Sequence, residues 1–217
     1  MRFGFYISGK SRRLTNFLEQ AESTVISDIG IVFSDSFIEE NLTYLLKKKT
    51  IEIVQIDYKN LPSDSRTEKN QLLSDILLAV LRENGIDYCI SFGTHILSGL
   101  LLDEYKYRII NFHPAILPMF PGLKAIDQAV EHGNVMLVGN TAHFIDSGVD
   151  TGPIIMQSVT TMQNFLKDRD YDVILDMQIP MLNKIIRAIM NGELTVNNGR
   201  ANIENADYSV THIYPEY

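Results

Sequence analysis

Through its first 112 residues the sequence alternates between short β-favouring apolar runs and segments whose apolar residues recur at helical spacing. Phe3 to Ile7 is a strand-like run that stops at Ser8-Gly9, and Leu14, Phe17, Leu18 and Ala21 then mark a helix over 14–22. The unit repeats with a strand over 29–33, a helix over 37–46, a strand over 51–56 and a helix over 70–81, followed by buried strands over 88–92 and 109–112. Strands separated by helices join a common sheet through crossovers. The pattern therefore predicts an α/β fold with a mostly parallel sheet and helices on both faces. Ligands of such sheets sit beyond the carboxyl ends of the strands, which singles out the loops Ser8–Arg13, Gly93–Leu97 and Asn111–Pro118.

Past the midpoint the texture changes. Residues 138–144 and 154–159 read as strands that extend the sheet, joined by Ile145-Asp-Ser-Gly-Val-Asp-Thr-Gly-Pro153. A long closing helix is expected over 171–190, with Pro180 forcing a kink or a boundary and Gly192 capping the end. The tail from about 197 is polar and weakly patterned, and no regular structure is expected there. The 217 residues suffice for one sizeable core, so a single domain over 1–217 is expected. A formal charge of −8 argues against general binding to nucleic acid or anionic membranes. The one cysteine, Cys89, lies in an apolar run and reads as core. No stretch has the length of a membrane span and the start is too soon broken for a signal peptide, so a cytoplasmic location is expected. Val210, Ile213 and Tyr214 are apolar residues in the tail that would suit a homodimer contact if exposed.

The densest chemical signal is Asn111-Phe-His-Pro-Ala-Ile-Leu-Pro118, directly after a strand. Residues two apart on an extended segment point the same way, so Asn111 and His113 share a face while Phe112 turns into the core. An amide beside an imidazole suits a carbonyl oxygen that turns anionic during acyl transfer. Residue types alone equally allow a strand end with a turn-capping Asn and a satisfied His. The second signal is Gly148-Val-Asp-Thr-Gly-Pro153, in which glycines let Asp150 approach a ligand closely. There it reads either as an ordinary turn residue or as a base for an attacking amine, with a pKa raised by burial. Asp146 is the nearby competitor. His143, on the strand before that loop, is either a buried hydrogen-bonded residue or a catalytic one. His95 stands at a strand end, and His132 beside Glu131 on a polar helical stretch. The five histidines lack metal-ligand spacing, so no metal is expected.

The first loop, Ser8, Gly9, Lys10, Ser11, Arg12 and Arg13, leads into a helix N-terminus, where free N–H groups attract anions. Three of its residues are cationic. It is neither a Walker A sequence nor a G-x-G-x-x-G, and it reads either as an anion site or as an exposed basic turn.

Taken together, Ile7-Ser-Gly9, Asp64-Ser-Arg66, Ile96-Leu97, Ile110-Asn-Phe-His-Pro-Ala-Ile-Leu-Pro118, Pro121-Gly122, Gln128-Ala129, Thr141-Ala-His143 and Val149-Asp-Thr-Gly-Pro-Ile-Ile155 resemble the folate-dependent formyltransferase family. That family includes glycinamide ribonucleotide transformylases and formyltetrahydrofolate deformylases. The resemblance implies a Rossmann-like formyltransferase fold and a 10-formyltetrahydrofolate cosubstrate. It also implies catalytic roles for Asn111, His113 and Asp150, and a pteridine cleft formed by His95, Ile96, Leu97, His143, Ile145 and Asp146.

The departures fall at the acceptor. The transformylase branch carries Gly-Asn-Gly-Ser-Asn-Leu where this chain has Gly9-Lys-Ser-Arg-Arg-Leu14, and Gln178 stands near where that branch uses a Glu. These differences favour another small anionic amine, and a nucleotide-linked amino sugar suits the cationic loop, so the sugar N-formyltransferase branch is the favoured reading. Glycinamide ribonucleotide formylation and formyltetrahydrofolate deformylation are the alternatives. Leu137-Val-Gly-Asn-Thr-Ala-His-Phe144 looks like the deformylase branch, whereas His113-Pro114 departs from its usual His-His. A folate-binding module without chemistry is the non-enzymatic reading.

Overall fold

The computed structural model describes residues 1–168, 171–211 and 213–214. Its seven-stranded sheet has the order β3-β2-β1-β4-β5-β6-β7. The strands are β1 (Phe3–Ile7), β2 (Ile29–Ser34), β3 (Glu52–Gln55), β4 (Tyr88–Phe92), β5 (Ile109–His113), β6 (Leu137–Phe144) and β7 (Ile154–Thr161). The first five are parallel, whereas β5–β6 and β6–β7 are antiparallel. Chain order runs outward from β1 to β3 and then resumes at β4 on the other side of β1. The loops after β1 and β4 therefore diverge and open a crevice at the carboxyl edge.

The helices are α1 (Arg12–Gln20), α2 (Ser23–Ser27), α3 (Glu40–Lys48), α4 (Arg66–Glu83), α5 (Leu100–Glu104), α6 (Ala125–His132), α7 (Met162–Asp168), α8 (Tyr171–Asp176) and α9 (Gln178–Met190). Strand alternation separates two cores. Phe3, Phe5 and Ile7 pack with Phe17 and Leu18 of α1, Leu42 and Leu46 of α3, and Leu182, Ile185 and Ile186 of α9. Tyr6 and Cys89 face the other side, with Leu73, Leu77 and Leu81 of α4 and Leu101 of α5. Each such aliphatic or aromatic side chain contributes roughly 1.5–3 kcal/mol relative to exposure. Cys89 is a core thiol, which burial pushes up to about 12. Among the described residues no helix is long and apolar enough to cross a membrane.

The closing helix divides between α8 and α9, and Pro180 falls in the first turn of α9 rather than at the break. A first-turn residue has no intrahelical acceptor for its N–H, so proline costs nothing there. Gly192 ends α9 with φ 72°; its N–H donates to Ile189 O, and that of Glu193 to Ala188 O, as in a Schellman cap.

The expectation of an unstructured tail fails. β8 (Leu194–Asn197) and β9 (Arg200–Ile203) form a hairpin through Asn198-Gly199, both at positive φ. Leu194, Val196, Ala201 and Ile203 pack against the first core. Beyond it, Val210, Ile213 and Tyr214 are exposed; His212 lies outside the described residues.

Candidate active site

Strand β5 presents Asn111 and His113 on one face and sends Ile110 and Phe112 into the core on the other. Because β6 runs antiparallel to β5, His143 comes opposite Asn111 and Thr141 opposite His113. The amide Nδ2 of Asn111 lies 3.3 Å from His143 Nε2. The loop after β6 folds back over this face and brings Asp150, at φ 54°, between the two imidazoles. Its Oδ2 is 3.2 Å from His113 Nδ1, and its Oδ1 is 3.4 Å from His143 Nε2. Gly152 makes that return possible, since a Cβ there would stand 1.8 Å from the backbone oxygen of Phe144.

The competitor Asp146 serves the loop itself, accepting from Gly148 N at 3.0 Å and Thr151 Oγ1 at 2.7 Å. The segment after β5 closes over His113 and Asp150. Phe120 O lies 2.8 Å from His113 Nε2, and Gly122 N–H donates to Asp150 Oδ2 at 2.8 Å. Thr141 anchors this segment by donating to Ala115 O and accepting from Leu117 N, and Gln157 Nε2 donates to Leu117 O. These supports involve main-chain atoms, which sequence reading could not place.

The hydrogen-bond inventory fixes where protons lie. Both nitrogens of His113 face acceptors, a carbonyl and a carboxylate, so one proton must occupy the line between Nδ1 and Asp150. His143 Nδ1–H donates to Phe144 O at 2.9 Å, which leaves Nε2 toward Asn111 and Asp150. Burial pushes the Asp150 carboxyl up. The His143 hydrogen bond, the Gly122 N–H and the charges of both imidazoles outweigh it and hold the group below the usual carboxylate range. The expected raised pKa is thus corrected to a lowered one: Asp150 is an ionised acceptor beside a proton-bearing imidazole.

These groups line a cavity of about 760 Å³, whose walls include His95, Ile96, Leu97, Ile145 and Asp146. All six residues expected at a pteridine cleft, His143 among them, therefore border it. His95 stacks on Tyr58 with ring centroids 3.5 Å apart, and its Nε2 is 3.7 Å from Asp35. Burial holds its pKa down; Asp35 opposes this shift and Arg66 adds to it.

The first loop departs from its expected role, because of its six residues only Arg13 lines the cavity. Ser8 donates to the buried Asp35 at 2.5 Å, beside Tyr6 at 2.6 Å, and Gly9 N donates to Ser36 Oγ. The buried Ser11 Oγ has no partner. Lys10 pairs with Glu39 at 3.0 Å and Arg12 with Asp176 at 3.7 Å. The basic turn is mostly a solvated, ion-paired surface whose carboxylate partners come from other elements. His132 is exposed at the end of α6, edge-on to Phe120.

A 62-residue stretch of the chain is 48% identical to phosphoribosylglycinamide formyltransferase of Bacillus subtilis (strain 168), covering 29% of this chain and 31% of that protein. Over 126 residues it is 33% identical to the formyltetrahydrofolate deformylase of Haemophilus influenzae, covering 58% of this chain and 42% of the other. The chain thus matches less than half the length of either relative. The crystal structure of glycinamide ribonucleotide transformylase 1 from Symbiobacterium toebii superimposes with a TM-score of 0.76 at 30% identity, over 94% of this chain and 93% of that one. That likeness extends the Rossmann-like formyltransferase fold across the sheet described above. Residues 1–171 match the model of the Formyl transferase family, and to that family the chain belongs.

Proposed function

We propose that this protein transfers the formyl group of 10-formyltetrahydrofolate to a primary amine on a small anionic acceptor. The observation that carries the reading is the convergence of Asn111, His113 and Asp150 at the floor of one cavity, with the Asp150 carboxylate 3.2 Å from the His113 ring. The unprotonated amine attacks the formyl carbon, and the formyl oxygen takes up negative charge facing the amide N–H of Asn111. Both His113 nitrogens are engaged, with Phe120 O and Asp150, so that ring supports the oxyanion through its field and not by a direct hydrogen bond. Asp150, already ionised, takes the proton that the amine sheds, directly or through water. The same proton returns to the folate nitrogen as the carbon–nitrogen bond to it breaks. Ile96, Leu97 and Ile145 supply apolar wall for the pteridine end.

For the acceptor, a nucleotide-linked amino sugar is supported by Arg13, the one first-loop residue that borders the cavity, and by the neutral Gln178 that holds it. The second reading, phosphoribosylglycinamide, is supported by the names of the relatives. Release of formate without an amine is the deformylase alternative. Incubation with 10-formyltetrahydrofolate and a panel of glycinamide ribonucleotide, several nucleotide-linked amino sugars and no acceptor separates the three by the mass gain of one formyl group or by free formate. Absence of both formylated product and formate under every condition would overturn the enzymatic reading.

A further inference from the structure

Arg13 is the second residue of α1, and its guanidinium lies over the Phe92 ring, 4.4 Å from the centroid. Nη1 donates to Gln178 Oε1 at 2.9 Å and Nη2 to Phe92 O at 3.3 Å. All three partners are neutral. Among the described residues no carboxylate lies within ion-pair distance of Arg13, whereas its neighbours Lys10 and Arg12 have Glu39 and Asp176. Burial lowers its pKa to about 10, which leaves it charged at neutral pH. A partly buried cation without a counter-ion is costly, and this one borders the cavity. It is also close to the chemistry. Its anchor, Phe92, follows Ser91, which pairs with Asn111 across β4 and β5.

The neutrality at position 178 is built in. Gln178 is fully buried, and its Nε2 donates to Asn140 Oδ1 at 2.7 Å. Asn140 Nδ2 in turn donates to Ile174 O at 2.8 Å and Ser158 Oγ at 3.2 Å. Asn140 therefore presents an acceptor to residue 178 and requires a donor there. With Nε2 committed, the amide oxygen of Gln178 can only face Arg13. A glutamate in its place would neutralise Arg13 and set an oxygen against the Asn140 oxygen. Because Gln178 is buried and engaged at both ends of its amide, it has no part left to contact an acceptor directly.

We infer that Gln178 is a specificity-determining positioning residue, which holds Arg13 as an uncompensated cation for an oxyanion, carboxylate or phosphate, on the acceptor. The inference rests on the proposed formylation of an anionic amine and assigns the contact for the anion. Two guanidinium N–H groups are used by the protein out of the five an arginine carries, which leaves donors for a bidentate contact.

The test has one readout that needs no turnover. The full chain is titrated with inorganic phosphate and, separately, with acetate, at ionic strength held constant with sodium chloride, and thermal stabilisation is followed. Wild type should show saturable stabilisation by at least one of the two, and the stronger arm names the oxyanion. Arg13→Gln and Gln178→Glu should each weaken that binding at least tenfold. Gln178→Met, which removes the hydrogen bonds without adding charge, should weaken it less than Gln178→Glu. Lys48→Gln, far from the cavity on the exposed side of α3, should leave it unchanged. With an acceptor found in the panel above, Gln178→Glu should raise its KM at least tenfold, with kcat within about threefold and the KM for 10-formyltetrahydrofolate unchanged.

No saturable binding of either anion to wild type would overturn the inference. So would wild-type affinity in a folded Gln178→Glu variant, or equal losses in the Met and Glu variants. If Gln178→Glu does not fold, retention of wild-type anion binding by Arg13→Gln is the overturning result. Anion binding that depends on Arg13 and Gln178, without formyl transfer to any amine, would leave this site standing and remove the proposed reaction. Transfer without such binding would do the reverse.

Discussion

Two corners of the molecule are built on opposite principles. Around Asp150 the polar groups face one another with a proton to share, and two backbone groups, Phe120 O and Gly122 N, complete the set. Around the first loop most polar groups are spent on fixed partners. Asp35 takes Tyr6 and Ser8, Glu39 takes Lys10, and Gln178 holds Arg13. A corner with a movable proton suits chemistry, and a corner with settled hydrogen bonds suits shape and charge. The lesson is that a cationic stretch of sequence is not an anion site until its carboxylate neighbours are known.

The largest expected effect tests the first corner. Asp150→Asn and His113→Ala should each lower turnover by at least about a hundredfold, the scale of such groups; near-wild-type rates in both would erase the contrast. Gly152→Ala should follow, since its Cβ would meet the Phe144 carbonyl and push Asp150 out of line. A loss on the order of tens-fold in kcat with a lowered melting temperature is the expected result. The second corner should answer in stability instead. Tyr6→Phe removes a buried hydrogen bond to the Asp35 carboxylate and should cost about 1–3 kcal/mol in urea unfolding.

Acid sharpens the contrast further. The depressed pKa of Asp150 means that it adds stability above the ordinary carboxylate value of about 3.9, and that this contribution is lost as pH falls through the lower folded value. Wild type should therefore lose stability more steeply than Asp150→Asn in that window, and parallel unfolding midpoints would contradict the assignment. Smallest of all, Lys10→Gln should leave the acceptor KM within about twofold, because this cation is exposed and paired with Glu39.

The sheet and the pairing of Asn111 with His113 were legible because both depend on local periodicity: alternation along a strand decides which residues share a face, whatever the rest of the chain does. Gly192 was legible because a glycine just past a helical run suits the positive φ of a C-terminal cap. The state of Asp150 was not, because it is decided by His143 across a strand pair and by a main-chain N–H at Gly122, neither of which a residue type announces. The first loop misled because its controlling partners are distant in sequence; Gln178 is 165 positions from Arg13. The C-terminal hairpin was missed although Asn198-Gly199, a strong short-range turn signal, was in view. The polar strand faces masked the alternation of Leu194, Val196, Ala201 and Ile203.

That hairpin bears on how the protein should be handled at the bench. Trimming at residue 197, where the polar texture begins, would sever one ribbon from its mate and strip apolar cover from the helix and strands beneath it. The Tyr208 hydroxyl also accepts the Ile203 N–H at 2.9 Å. A shortened version intended for crystallisation therefore does best to retain everything through Tyr208.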